Sequence, residues 1–192
     1  MQRVHRATRF FTVPDGTQVA PFLNAADSLQ SELPWGCLGE MSVAAGRIEA
    51  RTASAIHVHP LVTQVTYVTR GRLTVRMREA GPGETYSLAV PNGSAVVTRP
   101  GTLLQLANET GAVVEVLYLV SPAYVFEERD GRVIYDDSLV VAAAWDEVDL
   151  PAVQQKLQID LDARKRERAA SLARLAAMKG AAPASSPAPV QP

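Results

Sequence analysis

The sequence predicts an all-β chain: a single jelly-roll β-barrel or sandwich with an N-terminal arm before it and a C-terminal helix after it. Three observations predict this. From Leu38 onward, short β-rich runs follow one another, punctuated by Gly, Pro, Asn and Asp. One of these runs alternates strictly, with Leu73, Val75 and Met77 on one face and Arg72, Thr74, Arg76 and Arg78 on the other, as a half-buried antiparallel strand does. No helix of useful length separates the runs, which argues against a parallel βαβ sheet.

Taken in order, residues 1–35 read as the arm, with turns at Pro14-Asp15-Gly16 and Leu33-Pro34-Trp35-Gly36 and a short β piece over Phe10 to Val13. Such an arm suits covering a sheet edge or crossing to a second subunit. The barrel core spans 36–122, with strands expected at 39–44, 55–59, 64–69, 72–78, 86–90, 95–98, 103–106 and 113–120. Residues 123–150 read as an extension containing a hairpin that turns at Asp130-Gly131. The pair Asp136-Asp137 then reads as a solvated turn or a helix cap, because neighbours on an extended segment point oppositely. Residues 151–179 read as an amphipathic helix, from Val153, Leu157 and Leu161 at i+4 spacing and then Leu172 and Leu175. Asp160 with Arg164 and Asp162 with Arg166 can pair along its surface, and the run Arg164 to Arg168 reads as a solvated face rather than a nucleic-acid contact. Residues 180–192, built from Ala, Pro, Ser and Gly with few other residues, read as a disordered tail.

Composition bounds the function. The chain has 192 residues, 47% hydrophobic and 20% charged, enough for one sizeable core. A net charge of −1 gives no reason to expect nucleic acid or an anionic membrane as partner and favours a small molecule. The single cysteine, Cys37, rules out an intrachain disulfide framework and fits a reducing cytoplasm; it reads as a small buried hydrophobe beside Trp35. The N-terminus lacks the apolar run of a signal peptide, and no stretch is long enough for a membrane span.

The chemistry concentrates at His57-Val58-His59, followed by Gln64 and Gly71. Residues i and i+2 of a strand share a face roughly 6.5 to 7 Å apart, so both imidazoles can serve one point in space. Arg51, His57, His59, Gln64 and Gly71 resemble the first motif of the cupin superfamily, with Arg51 where the motif opens on Gly and Gln64 where it has Glu. Gly93, Gly101 and Asn108 fall in register with the second cupin motif, Pro100 lies one place after its proline, and Leu104 stands where its histidine belongs. The resemblance covers residues 36 to 122 and implies a cupin-type jelly roll.

It also implies metal ligands at His57, His59 and Gln64, holding a divalent Fe, Mn, Ni or Zn ion. Gln64 brings no charge to offset a cation and Leu104 brings no donor, so His5, Glu49, Glu115 and Tyr118 are the residues to inspect for a further ligand. By strand parity Leu104 points into the barrel and Gln105 outward, and a one-residue bulge would reverse them. Thr66, Leu104, Gln105 and Tyr118 are the candidates for a substrate pocket. Two function classes follow. One is a metal-dependent dioxygenase, isomerase, lyase or cyclase acting on a small organic molecule; the other is a metal-free ligand-binding or assembly barrel. Acid-base catalysis by a histidine with Tyr67 or Tyr118 is a further enzymatic option, weakened for Tyr67 because it faces away from His57. The arm and the helix are both suited to packing on a second subunit, so a homodimer is expected.

Overall fold

The alternation along Arg72 to Arg78 folds as its pattern dictates, with Leu73, Val75 and Met77 buried and the arginines turned out. In the computed structural model, residues 4–27, 41–79 and 83–180 are described. The readings at Leu33 to Gly36, at Trp35 and Cys37, and over the tail beyond residue 180 lie outside them.

The chain begins with β1 (Phe11–Thr12) and β2 (Gln18–Leu23), then β3 (Ser42–Ile48), β4 (Thr52–Ala53) and β5 (Ile56–Val58). It continues with β6 (Thr63–Arg70), β7 (Arg72–Arg78), β8 (Tyr86–Pro91), β9 (Ala95–Thr98), β10 (Leu103–Asn108) and β11 (Val114–Ser121). Then come β12 (Phe126–Arg129), β13 (Arg132–Asp136), β14 (Leu139–Ala142), a 3-10 turn at Trp145–Glu147 and the helix α1 (Leu150–Gly180). Two antiparallel sheets face each other. One runs β1-β2-β3-β11-β6-β9 and the other β14-β5-β10-β7-β8, with β4 also paired to β10. The chain crosses between the sheets repeatedly, at β3 to β4, β5 to β6, β6 to β7, β8 to β9, β9 to β10 and β10 to β11, as a jelly roll requires.

Between the sheets lies an apolar core that includes Val68, Leu73, Val75, Met77, Leu104, Leu106, Val114 and Val116. Gly71 turns β6 into β7 at φ +88°, and a Cβ there would meet a Val114 methyl at 3.1 Å. Arg51, in the place of the first motif's opening glycine, adopts φ +58°, so the turn geometry survives without the glycine. Asn108 braces the loop after β10: its Nδ2 donates to the Ile48 and Ala112 carbonyls and its Oδ1 accepts from Thr110.

The arm folds back on its own chain. Its turn at Pro14 to Gly16 reverses β1 into β2, and β2 pairs with β3 at the edge of the first sheet. Past the barrel, β12 and β13 form a hairpin around Asp130 and Gly131, both at positive φ, and β14 returns to pair with β5. α1 begins under an Asp149 cap, whose Oδ1 accepts from the Ala152 N–H, and packs on the hairpin.

Two expectations for this region need correction. Asp136-Asp137 is no solvated turn, because Asp137 is fully buried and salt-bridged to Arg168 at 3.1 Å. Nor is the run from Arg164 wholly a solvated face, since Arg164 donates to the Asp136 carbonyl and Arg168 to the Ala123 carbonyl. With Arg164 drawn to the hairpin, the surface pair that forms is Lys165 with Asp162, at 3.2 Å.

Candidate metal and ligand site

β5 is buried on both faces, and its pleat sends Ile56 and Val58 to one side and His57, followed by His59, to the other. The two imidazoles enter one cavity of about 100 Å³ between the sheets, where their ring centroids stand 5.2 Å apart. Gln64 of β6 and Tyr118 of β11 line the same cavity. Tyr118 fits because β3 carries Gly46 two residues from its register partner Ala44, under the ring: a Cβ at Gly46 would lie 2.3 Å from it.

Each donor has a defined state. The His57 Nδ1 lies 3.0 Å from the Ala55 carbonyl oxygen and 3.4 Å from an Asp15 carboxylate oxygen. A carbonyl cannot donate, so Nδ1 carries a hydrogen and Nε2 is the nitrogen turned to other partners. A carboxylate behind a histidine in this way fixes the orientation of the ring. His59 is buried, its pKa is brought down to about 3 by that burial and by neighbouring His57, and its Nδ1 has no hydrogen-bond partner. It is therefore a neutral imidazole with an unused ring nitrogen. Gln64 donates through Nε2 to the Thr66 hydroxyl at 3.2 Å, which leaves its carbonyl oxygen uncommitted. The Tyr118 phenol is pushed up by burial and by the Asp15 charge, against the opposing influence of Thr17, and stays protonated.

The remaining candidates separate. Thr66 sits behind Gln64 and does not line the cavity. Leu104 pairs in register with His57 and packs into the apolar core, so the position of the second motif's histidine is filled by hydrocarbon. Gln105 faces the other side of β10, where its oxygen accepts from Arg76 and Trp145 and its nitrogen donates to the Ser54 carbonyl. No bulge reverses this parity, since β10 pairs with β7 in continuous register. Tyr67 is partly exposed and Glu115 pairs with Arg47, both away from the cavity, and neither His5 nor Glu49 lines it.

Sequence reasoning missed Asp15, Asn24, Tyr124 and Asp136, all of which line the cavity. Asp15 belongs to the recognised turn, and its Oδ1 accepts from the Thr17 N–H and hydroxyl, a local cap visible in Asp-Gly-Thr. Its reach to His57 has no local signal. Tyr124 is clamped by Asn24, which donates to its carbonyl, and by Ser42, whose hydroxyl accepts from its N–H; its ring meets His59 edge-on at 5.7 Å. Its hydroxyl donates to Asp136, whose pKa is raised by burial.

The architecture has parallels among solved structures. A recombinant oxalate oxidase in complex with glycolate is similar to 83% of this chain at 15% identity and a TM-score of 0.50, with 74% of that chain covered. The fold is that of the cupins. The oxalate decarboxylase of Lactobacillus farciminis, solved as a formate complex, matches 69% of this chain at 13% identity and a TM-score of 0.52. The chain spans about a third of that longer protein, 33% of it. The Drosophila melanogaster CENP-C cupin domain matches 57% of this chain and 72% of its own at 14% identity and a TM-score of 0.47. No protein-family model matches the chain, and no curated protein does. At these identities the likeness establishes the cupin fold alone.

The donor set fits a divalent ion only in part. Two neutral imidazoles and an amide oxygen are suitable ligands for Fe, Mn, Ni or Zn, and the unpartnered His59 nitrogen is what such a site would leave when empty. Among the described residues no group of three or more His, Cys, Asp and Glu could hold a metal, so the set depends on Gln64 and lacks an anionic ligand.

Proposed function

We propose that this cupin binds a small organic molecule in the barrel cavity beside a divalent transition metal held by His57, His59 and Gln64. The observation that carries the reading is the asymmetry of the two histidines. Asp15 and Ala55 tie back one ring, while the other is buried and neutral with a nitrogen unused. When bound, the metal would supply Lewis acidity toward a substrate oxygen or a centre for O2 chemistry. The chain's own residues orient and exclude: Asp15 fixes the His57 ring, and Leu106, Val120 and the Tyr118 side chain line the cavity. On this reading the activity would be of dioxygenase, isomerase, lyase or cyclase type.

A second reading is a metal-free binding or assembly barrel, and Leu104 favours it, because hydrocarbon occupies the fourth ligand position. A homodimer and a cytoplasmic location complete the proposal. Exposed Tyr67 and Val97 on the outer face of one sheet support the first. No helix among the described residues is long and apolar enough to cross a membrane. Elemental analysis of untagged protein tests the metal. Near-stoichiometric metal that disappears in a folded His57→Ala, His59→Ala variant is the expected result. Absence of metal after anaerobic loading with Fe, Mn, Ni and Zn would leave the metal-free barrel.

A further inference from the structure

Away from the histidines the cavity changes chemistry. Phe11 from β1, Tyr124 and Phe126 from the start of the hairpin give it aromatic walls, with the Phe11 and Phe126 centroids 6.4 Å apart. Asp136 borders the same region. Its Oδ1 accepts from the Tyr124 hydroxyl and the Ser138 N–H, and its Oδ2 accepts no hydrogen bond among the described residues. Asp15 and Asp27 line the cavity too, while no described Lys or Arg does. Arg164 reaches the Asp136 main-chain carbonyl from the helix side and stays out of the cavity. Tyr118, 6% exposed, lines the cavity as well, with its hydroxyl buried near Thr17.

A carboxylate with an idle oxygen, in a partly closed pocket lined by aromatic side chains, is stabilised by a cation and repels an anion. We propose that the cavity takes a small organic ammonium ion, its cationic group between Asp136 and the aromatic walls. The volume of about 100 Å³ suits a molecule of roughly seven to ten non-hydrogen atoms. This inference rests on the small-molecule half of the reading above, not on the metal. It also separates this wall of the cavity, away from the histidines, from one built for a carboxylate, which would need a cationic side chain there.

Calorimetric titration of the full chain with choline, with its uncharged isostere 3,3-dimethylbutan-1-ol and with glycolate tests it. Choline is expected to bind about tenfold or more tightly than the isostere, and glycolate not at all. Asp136→Asn, which keeps an Oδ1 for Tyr124 and Ser138, is expected to remove that preference while leaving the isostere's affinity unchanged. Equal affinity for choline and the isostere, or tighter binding of glycolate, would overturn the cation and leave the small-molecule reading standing. Silence from all three probes would overturn both. If Asp136→Asn fails to fold, the ratio measured on the unaltered chain decides alone.

Discussion

Between the two sheets the side chains that meet are Val, Leu, Ile and Met, whereas between the hairpin and α1 they are Asp, Glu and Arg. In the barrel, Val68, Leu73, Val75, Leu104 and Val114 are each fully buried against one another. At the helix the apolar cluster is small, with Ala26, Val125, Tyr135 and Leu175 buried in it. The rest of that contact is polar. Asp137 accepts from the Val125 N–H, the Tyr135 hydroxyl and the Arg168 guanidinium. Glu127, 1% exposed, accepts from Ser171, Arg129 and Arg174. Apolar burial tolerates small shifts because it has no direction, whereas these pairs hold one register of helix on hairpin. That register sets the position of Asp136, the residue next to Asp137, at the cavity. The barrel thus supplies the histidines, and a polar clamp outside it supplies the opposite wall.

The two regions should come apart under substitution. Arg168→Met leaves Asp137 buried without its cation and should cost about 3–5 kcal/mol, felt first by helix docking. Amide exchange is expected to rise across α1 and the hairpin while the two sheets stay protected. Equal loss of protection in the sheets would mean that helix and barrel are one cooperative unit. Leu104→Ala works in the opposite place: it empties a fully buried position facing His57 and should cost about 2–5 kcal/mol. Here the urea midpoint should fall for both sheets together, with no selective opening of α1.

The same contrast explains what could be read in advance. The barrel was legible because its signals are local: a period of two along Arg72 to Arg78, turn residues such as Gly71 and Gly93, and a histidine pair on one strand face. Part of the cavity came with it: His57 and His59 share a strand face by parity, Gln64 rested on the cupin resemblance, and Tyr118 was one of several candidates that nothing local ranked. Asp15, Tyr124 and Asp136 did not come with it, because they reach the cavity from the arm and the extension, and nothing in their neighbourhoods names His57 or His59 as a neighbour. The basic run of α1 misled for a related reason. Pairing at i+4 is the local default for Arg164, but a main-chain carbonyl 28 residues away and partly shielded from water is the better acceptor.

The smallest effect expected is a pH dependence of the clamp, and its sign separates the two carboxylates. Arg174's hydrogen bonds, with help from Ser171 and Arg129, hold Glu127 below its ordinary value of 4.5 in spite of desolvation. Its contribution is therefore full above that value and is lost as pH falls through the lower folded one. Asp137 runs the other way: burial raises its pKa although Arg168 opposes the shift, so its contribution is full at low pH and is lost as pH rises through the folded value. The two partly cancel in the unaltered chain. Glu127→Gln removes one of them and keeps a side-chain acceptor for Ser171. In urea unfolding followed from about pH 7 to about pH 3, the advantage of the unaltered chain over the variant should shrink once pH drops below 4.5. A gap that stays constant across that range would mean that Arg174 does not hold Glu127 ionised, and that helix docking depends on Asp137 and Arg168 alone.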